Sequence, residues 1–510
     1  MGHARLYVFT NEPCELFETM STIVSNGLKD RFVILLYCKM LPLLVILGVV
    51  FVTWYWWRPV PRSPPTVPGA LPIIGHLWEF IKHRNDLWQY MDHIIDDVLE
   101  NEQLVQLKLG THTLYIASDP EEVGIIANAC LGRPYFYNFL IDGIGNGLVT
   151  ADAAMWKIHR RLLNPAFSQV VLNTFLPEMN AQAQYLVSQL TTMAGKGPVD
   201  VKETLNKFVL RTVCRTSLGL NAKDQDMVGD KYAKTIDEYL KIVCGRSYNV
   251  ALHPSLIYNS TKLRSRELEV AKDIENILNP IIKKRKSDFK ANKSTVSGDS
   301  SITGKFKPIL DLLLHLSDEQ HVFSDEDIRQ HLDTFVIASF ETTSSSMFFV
   351  LGSNPDVQER IFEEVQEVFG NNEELTKQDM SKLIYLEAVL KESLRLLNII
   401  PWIGRKLDTD VVLRFGLHRH SSWGPDAREF KPERWLNPGT VPSNPNAYAV
   451  FGIGKRNCIG KQYSMMSLKM SLAHIVRKFQ ITGDFNKLKW KYEVALKPAT
   501  TALVDIKLRS

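Results

Sequence analysis

Residues 451–460 read FGIGKRNCIG and set one sulfur, Cys458, among three glycines and a basic residue. Gly452, Gly454 and Gly460 permit positive φ and close backbone approach, so a tight loop exposing the thiol is expected. An apolar helical pattern, KQYSMMSLKMSLAHIVRKF, follows directly after Gly460. Cys458 is therefore predicted at a helix N-terminus, where free N–H groups and the helix dipole favour thiolate over thiol. Arg456 adds positive charge nearby. A lone cysteine is ordinarily a small buried hydrophobe. Here the frame Phe-x-x-Gly-x-Arg-x-Cys-x-Gly gives each fixed position a task in holding one sulfur against a flat group.

Other pairs have chemistry-bearing spacing but are individually common. Glu392 and Arg395 lie one turn apart on a helical pattern over 381–397, and many surface helices carry such a pair. A second arginine, Arg434, follows in FKPERW, and Arg405 stands in PWIGRKL. Trp156 and Arg160 share a face of the pattern over 152–168, where an exposed Trp–Arg stack is the ordinary reading. The stretch Ala338-Ser-Phe-Glu341-Thr342-Thr343 puts polar groups inside an otherwise apolar helix over 325–352. They cost stability there unless used, although threonine can bond the preceding turn's carbonyl.

With these residues together, the chain resembles the cytochrome P450 family, the haem-thiolate monooxygenases, over about residues 60–505. QHLDTFVIASFETT and GLVTADAAMWKIHRRLLNPAF resemble its insect and fatty-acid-hydroxylating branch. The resemblance implies that Cys458 is the axial iron ligand, pushing electron density onto the metal. It implies that Phe451 packs near the sulfur and that Trp156, Arg160, Arg405 and Arg456 hold the haem propionates. Glu392, Arg395 and Arg434 would be structural, a buried carboxylate between two arginines behind the haem. Thr342 would be the proton-delivery hydroxyl and Glu341 the acid. Phe340, Ile337 and Trp402 would line the substrate cavity.

Ala338 stands where many members of that branch carry a glutamate bonded to the haem. Non-covalent haem b (iron protoporphyrin) is therefore expected. Ser339 replaces the usual glycine, which would narrow the groove for dioxygen. The implied partners are an NADPH-cytochrome reductase, with cytochrome b5 as an optional second donor, a lipid membrane and a small apolar substrate. Lys157, Arg161, Lys455 and Lys461 would form the basic face for the reductase.

Helical patterns over 85–99, 119–129, 152–168, 177–195, 201–218, 230–245, 262–288, 325–352, 355–369, 381–397 and 460–479 must position these groups. Strand-like pieces are few, such as 104–109 and 112–117 around Gly110. The fold class expected is mainly α with small β-sheets (α+β), one large domain behind an N-terminal transmembrane anchor. The polar, Ser- and Lys-rich stretch 286–307 reads as a flexible surface connection.

The run LPLLVILGVVFVTWYWW reaches about 26 Å as a helix, slightly short of a hydrocarbon core of about 30 Å. Tyr55, Trp56 and Trp57 close it as an aromatic belt, Arg58 and Arg62 follow, and no small-residue cleavage site does. The division expected is an atypical extension over 1–39, an anchor over 40–58, a Pro-rich hinge over 59–69 and a catalytic domain over 70–510. A single anchor would leave the domain on the cytosolic side of the endoplasmic reticulum membrane. The sequons at Asn259 and Asn292 would then stay unmodified.

Composition limits the alternatives. The 510 residues are 45% hydrophobic and 23% charged, ordinary for a globular chain. Lys+Arg minus Asp+Glu is 60 − 56 = +4, too small a charge to argue for nucleic acid. Six scattered cysteines exclude a disulfide scaffold and a zinc ribbon. Two stretches are short for the family. VLRFGL, between Val411 and His418, lacks a hairpin whose loss would leave unpaired strand edges. About one helical turn is missing between Thr343 and Asn354, a shift of about 5 Å. Two other readings stay open: a haem-thiolate isomerase or dehydratase of an oxygenated lipid, and an inactive, truncated family member.

Overall fold

The computed structural model describes residues 42–509 except 53, 55–62, 85, 102–103, 111, 221–229, 296–305, 341–344, 408–409, 415 and 485–487. It divides into two compact units, residues 1–63 with 71–74, and residues 64–70 with 75–510. In the first, residues 42–52 are helical and their side chains exposed. No described helix is long and apolar enough to cross a membrane. The anchor expected over 40–58 lies partly outside the described residues, as do residues 1–39 entirely.

The second unit starts earlier than expected. Val67 N–H donates to Gln106 O at 3.0 Å and Gln106 N–H to Pro65 O at 2.9 Å. Residues 64–67 therefore belong to the edge of a sheet, and the hinge expected over 59–69 is corrected to end before them. His76 secures the join by ring contacts of 2.7 Å to Val67 O and 3.3 Å to Lys108 O.

The longer helices run, in order, α1 Leu87–Asn101, α2 Pro120–Ala129, α3 Ala153–Leu163, α4 Leu176–Thr191, α5 Lys202–Val213, α6 Asp230–Tyr248, α7 Lys262–Thr295, α8 Ile309–Gln320, α9 Asp325–Phe340, α10 Ser345–Ser353, α11 Pro355–Phe369, α12 Ile384–Leu396 and α13 Lys461–Lys478. The strands are β1 Val105–Leu109, β2 His112–Ala117, β3 Val199–Asp200, β4 Ile403–Leu407, β5 Asp410–Arg414, β6 Phe479–Thr482, β7 Trp490–Glu493, β8 Ala495–Pro498 and β9 Leu503–Leu508. The mainly helical expectation with small sheets matches this order. α8 was not expected, and α7 continues to Thr295 through the first part of the stretch read as a flexible connection. Arg285 on α7 holds Asp311 on α8 through a fork of 2.7 and 2.6 Å.

β1 and β2 form a hairpin at the expected positions, pairing Leu109 with His112. β5 lies parallel to β2 and antiparallel to β4, giving the order β1-β2-β5-β4. The shortened stretch after Val411 thus supplies an interior strand, paired on both sides, with Val412 buried. Among the described residues, β5 itself leaves no unpaired edge there. β3, β9 and β6 make a second sheet, and β7 and β8 a hairpin.

α9 crosses the core, burying Ile328, Leu332, Phe335, Val336 and Ile337 against α5, α7 and α8. Its start is a reciprocal cap: Ser324 N–H donates to Asp327 Oδ2 at 2.9 Å and Asp327 N–H to Ser324 Oγ at 3.1 Å. The helix expected as continuous over 325–352 is described as α9 and α10. Beyond the intervening residues, Phe348 and Leu351 are buried and Ser353 Oγ–H donates to Gly483 O at 3.1 Å. α10 thereby packs on β6.

One buried acid in α9 carries a pH consequence. Asp333 Oδ2 accepts from Arg329 Nη1 at 2.7 Å while Oδ1 has no partner among the described residues. Burial pushes this carboxyl up to about 7, with Arg329 opposing and Glu326 and Glu275 adding to the rise. Its folded value lies above the unfolded one of about 3.9. Its contribution to stability is thus full below about pH 4 and lost as pH climbs through about 7. Asp333→Asn should flatten that slope and stabilise the chain at pH 8 by on the order of 1 kcal/mol, read from urea midpoints at pH 5 and 8.

Candidate functional site

The cysteine loop folds as its glycines require. Gly452 and Gly454 have φ of +74° and +68°. A Cβ on Gly454 would come within 2.7 Å of Ala127 O on α2. Gly460 departs from the expectation: it takes φ −85° as the N-cap residue of α13. Cys458 N–H donates to Phe451 O at 2.7 Å and Asn457 N–H to Gly454 O at 3.2 Å, closing the loop on itself. Phe451 is half-buried and packs against the main core.

The thiol behaves differently from the sequence expectation. Cys458 is solvent-accessible, yet protein atoms crowd it enough for desolvation to dominate. Burial raises the thiol above its ordinary value, against the Gly460 N–H and the positive charges of Arg160 and Lys461. The helix N-terminus alone does not bring the thiol below its ordinary value. A metal cation bound to it would, since coordinating thiols are deprotonated outright.

Beside the loop lies a cluster of basic groups with no counter-ion among the described residues. Arg456 and Arg405 are both buried. Arg456 Nη2 donates to Ala151 O at 2.8 Å and Asp152 O at 3.0 Å, at the start of α3. Among the described residues its Nε and Nη1 have no partner, nor do Arg405 Nε and Arg133 Nε. The Arg456 guanidinium stands 4.8 Å from the centre of the Trp156 ring, a buried side chain of α3. Burial, then repulsion from Arg133 and Arg405, brings Arg456 down to about 9. Burial and Arg133 bring Arg405 down to about 10. Buried N–H groups of guanidiniums that do not give up their protons call for an anion with several acceptor oxygens.

Arg133 was missed by sequence reasoning. It is brought in because Lys406 N–H, beside Arg405 on β4, donates to Gly132 O at 3.0 Å. Arg160 was expected at a propionate. Its Nη1 and Nη2 instead donate to Asn457 O and Oδ1 at 2.6 and 2.9 Å, and its Nε to Asn164 Oδ1 at 2.8 Å. Trp156, Arg405 and Arg456 are thus gathered in one place, while Arg160 grips the loop beside them.

The third assembly is the expected ionic one. Glu392, Arg395 and Arg434 are all buried. Arg395 Nε and Nη2 donate to the two Glu392 oxygens at 2.8 and 2.9 Å, and Arg434 Nε to Oε1 at 2.9 Å. Lys431 N–H and Trp435 Nε1 complete the carboxylate at 3.0 and 2.9 Å. Arg395 Nη1 donates to His418 O and Ala427 O at 2.6 and 2.5 Å, and its Nη2 to Glu429 O at 3.0 Å. Burial alone would raise Glu392, but Arg395, the Lys431 N–H and Arg434 outweigh it and hold the carboxyl below its usual range.

Glu341 and Thr342 lie outside the described residues, as does the side chain of Phe340. Ala338 is exposed on an otherwise buried stretch of α9, and Ser339 Oγ–H turns back to Phe335 O at 2.7 Å. Ile337, expected to line a cavity, belongs to the core. Trp402 packs against Tyr492, with ring centres 4.1 Å apart. His331 on α9 meets His159 on α3, Nε2 to Nδ1, at 3.0 Å. Lys157, Arg161, Lys455 and Lys461 are all exposed.

A thiol on a glycine loop, with buried guanidinium N–H groups beside it that call for an anion, has a donor set that fits haem, which carries two carboxylates. The sequence profile described as Cytochrome P450 matches residues 64–501. The chain is 29% identical over 474 residues to cytochrome P450 4V2 of Mus musculus, covering 88% of this chain and 90% of that protein. It is 28% identical to cytochrome P450 4c21 of Blattella germanica (88% and 94% covered) and 26% identical to cytochrome P450 4c3 of Drosophila melanogaster (81% and 83% covered). The chain belongs to the cytochrome P450 family, whose members are monooxygenases.

Proposed function

We propose that this chain is a membrane-anchored monooxygenase that inserts one oxygen atom of O2 into an apolar, fatty-acid-like, pheromone or xenobiotic molecule. The carrying observation is the set of buried, unpartnered N–H groups on Arg133, Arg405 and Arg456 beside the Cys458 loop. Haem b, when bound, would supply the oxygen-activating and electron-transfer chemistry.

The residues would divide the work. Cys458 would bind the iron, with Phe451 packed beside the sulfur. Arg405 and Arg456, with Arg133, would neutralise the propionates, and Trp156 would wall Arg456. Glu341 and Thr342 would deliver protons. Ala338 carries no carboxylate for an ester, in keeping with non-covalent haem. The exposed bases Lys157, Arg161, Lys455 and Lys461 suit an acidic NADPH-cytochrome reductase, with cytochrome b5 as a further donor. Residues 40–58 would anchor the chain in the endoplasmic reticulum with the domain in the cytosol. The paired strand β5 and the packed helix α10 weigh against an inactive remnant.

The test is the reduced, carbon-monoxide-bound absorption spectrum of the purified chain, followed by turnover of a medium-chain fatty acid with reductase and NADPH. A Soret band at the long-wavelength thiolate position and NADPH-dependent hydroxylation are expected. A porphyrin-free protein, or one with an imidazole-type spectrum, would sink the proposal. Turnover independent of NADPH would favour an isomerase.

A further inference from the structure

We infer that His159 and His331 form an acid-released tie between α3 and α9, in which His331 Nε2–H donates to His159 Nδ1 and protonation of that nitrogen parts the two helices. The tie stands without the haem-thiolate reading; its effect on the cofactor rests on that reading.

The two imidazoles meet Nε2 to Nδ1 at 3.0 Å, with ring centres 4.9 Å apart. Both are buried, His331 the deeper. Phe323 stands edge-to-face with each, at 5.1 and 5.4 Å, and Phe335 lies nearly parallel to His331 at 6.4 Å. The remaining nitrogen sets the direction of the bond. His331 Nδ1 is buried and has no partner among the described residues. A buried N–H left unpaired forfeits a strong donor, whereas a lone pair facing aromatic carbon costs less. A neutral imidazole carries one proton, so His331 holds it on Nε2 and His159 Nδ1 accepts.

Acid acts on the accepting nitrogen. A proton on His159 Nδ1 sets N–H against N–H and ends the contact. A proton on His331 Nδ1 keeps the contact but places a cation among Phe323 and Phe335 with no acceptor. Asp327, one turn before His331 on α9, is the charged group that acts on both rings, and it favours protonation. Its Oδ2 is taken by the Ser324 N–H and hydroxyl, at 2.9 and 2.6 Å. Burial outweighs Asp327: both rings are held below the ordinary imidazole range, His331 at about 4. Unfolded rings, near about 6.5, bind more protons than the folded ones. The tie is therefore full above about pH 6.5 and is lost as pH falls towards about 4. α3 carries Trp156, which walls Arg456, and α9 runs towards Glu341 and Thr342. Release would loosen both helices of the proposed cofactor site.

The experiment uses the full-length chain as purified and reads amide hydrogen exchange, corrected for its intrinsic pH dependence, over α3 and α9 at pH 7 and pH 4.5. The wild type should lose about tenfold protection in both helices relative to α4 on acidification. His159→Asn replaces the accepting nitrogen by an oxygen that does not titrate, and should show the same protection at both pH values. His331→Gln keeps a donor in place, and should stay as acid-sensitive as the wild type. Retention of the thiolate band at pH 4.5 should be greatest in His159→Asn. Imidazole nitrogen shifts of the wild type at pH 7.5 need no variant and should show the Nε2–H tautomer for His331.

Equal protection of the wild type at the two pH values would overturn the tie, and so would acid sensitivity that survives in His159→Asn. If a variant fails to fold, the tautomer decides: an Nδ1–H on His331 sinks the proposal. A chain without the thiolate band overturns the proposed function alone, because exchange still decides the tie.

Discussion

Cys458→Ala is expected to abolish the long-wavelength Soret band and reduce NADPH-dependent turnover to background. The argument separates two kinds of grip on the cofactor. The sulfur would supply the metal ligand, and Arg133, Arg405 and Arg456 would supply the charge partners. Replacing the sulfur leaves the arginines in place, so residual haem should still copurify while its spectrum shifts to one without thiolate. The converse variant, Arg456→Ala, should lower haem retention while any haem that remains keeps the thiolate band. Retention of that band by Cys458→Ala would show that another residue binds the iron.

Glu392→Gln is the second large effect. The substitution keeps shape and removes charge, leaving Arg395 and Arg434 buried with no carboxylate between them. Breaking a buried ion pair from one side costs about 3–5 kcal/mol, because the remaining charge stays desolvated. Arg395 also holds His418 O, Ala427 O and Glu429 O, so loosening it should release the chain between β5 and the cysteine loop. A chain of this size often unfolds irreversibly, and the appropriate measure is the half-life of haem loss on warming. The folded carboxyl sits below its unfolded value. Its stabilisation is therefore present above about pH 4.3 and lost as acid carries the pH down through the folded value. Glu392→Gln should remove that part of the acid sensitivity. An unchanged half-life would mean that the carboxylate is dispensable.

The parts of the site legible in the sequence were those whose members sit close together along the chain. Gly452, Gly454 and Cys458 fall within one short loop, and Glu392 and Arg395 are fixed by helical spacing. Their geometry followed from local rules. Arg133 was illegible because nothing in Gly132-Arg133-Pro134 signals a ligand; only the Gly132–Lys406 backbone bond carries it to Arg405. The Arg160 contacts with Asn457 were not legible, since they depend on how the loop docks on α3. β4 and β5 were too short for alternation to show, and β5 sits between two partners that neither its length nor its pattern reveals. α8 was obscured by the polar stretch in front of it.

α3 also has an angular consequence. Successive residues are rotated by about 100° around a helix axis. Trp156, His159 and Arg160 meet three different neighbours from a single stripe, namely Arg456, His331 and Asn457. Inserting or deleting one residue ahead of Trp156 would turn all three away at once, whereas replacing outward-facing Lys157, Ile158 or Arg161 leaves the phase intact. The helix behaves like a keyed shaft: tolerant of what is painted on its outer side, intolerant of any change in its indexing.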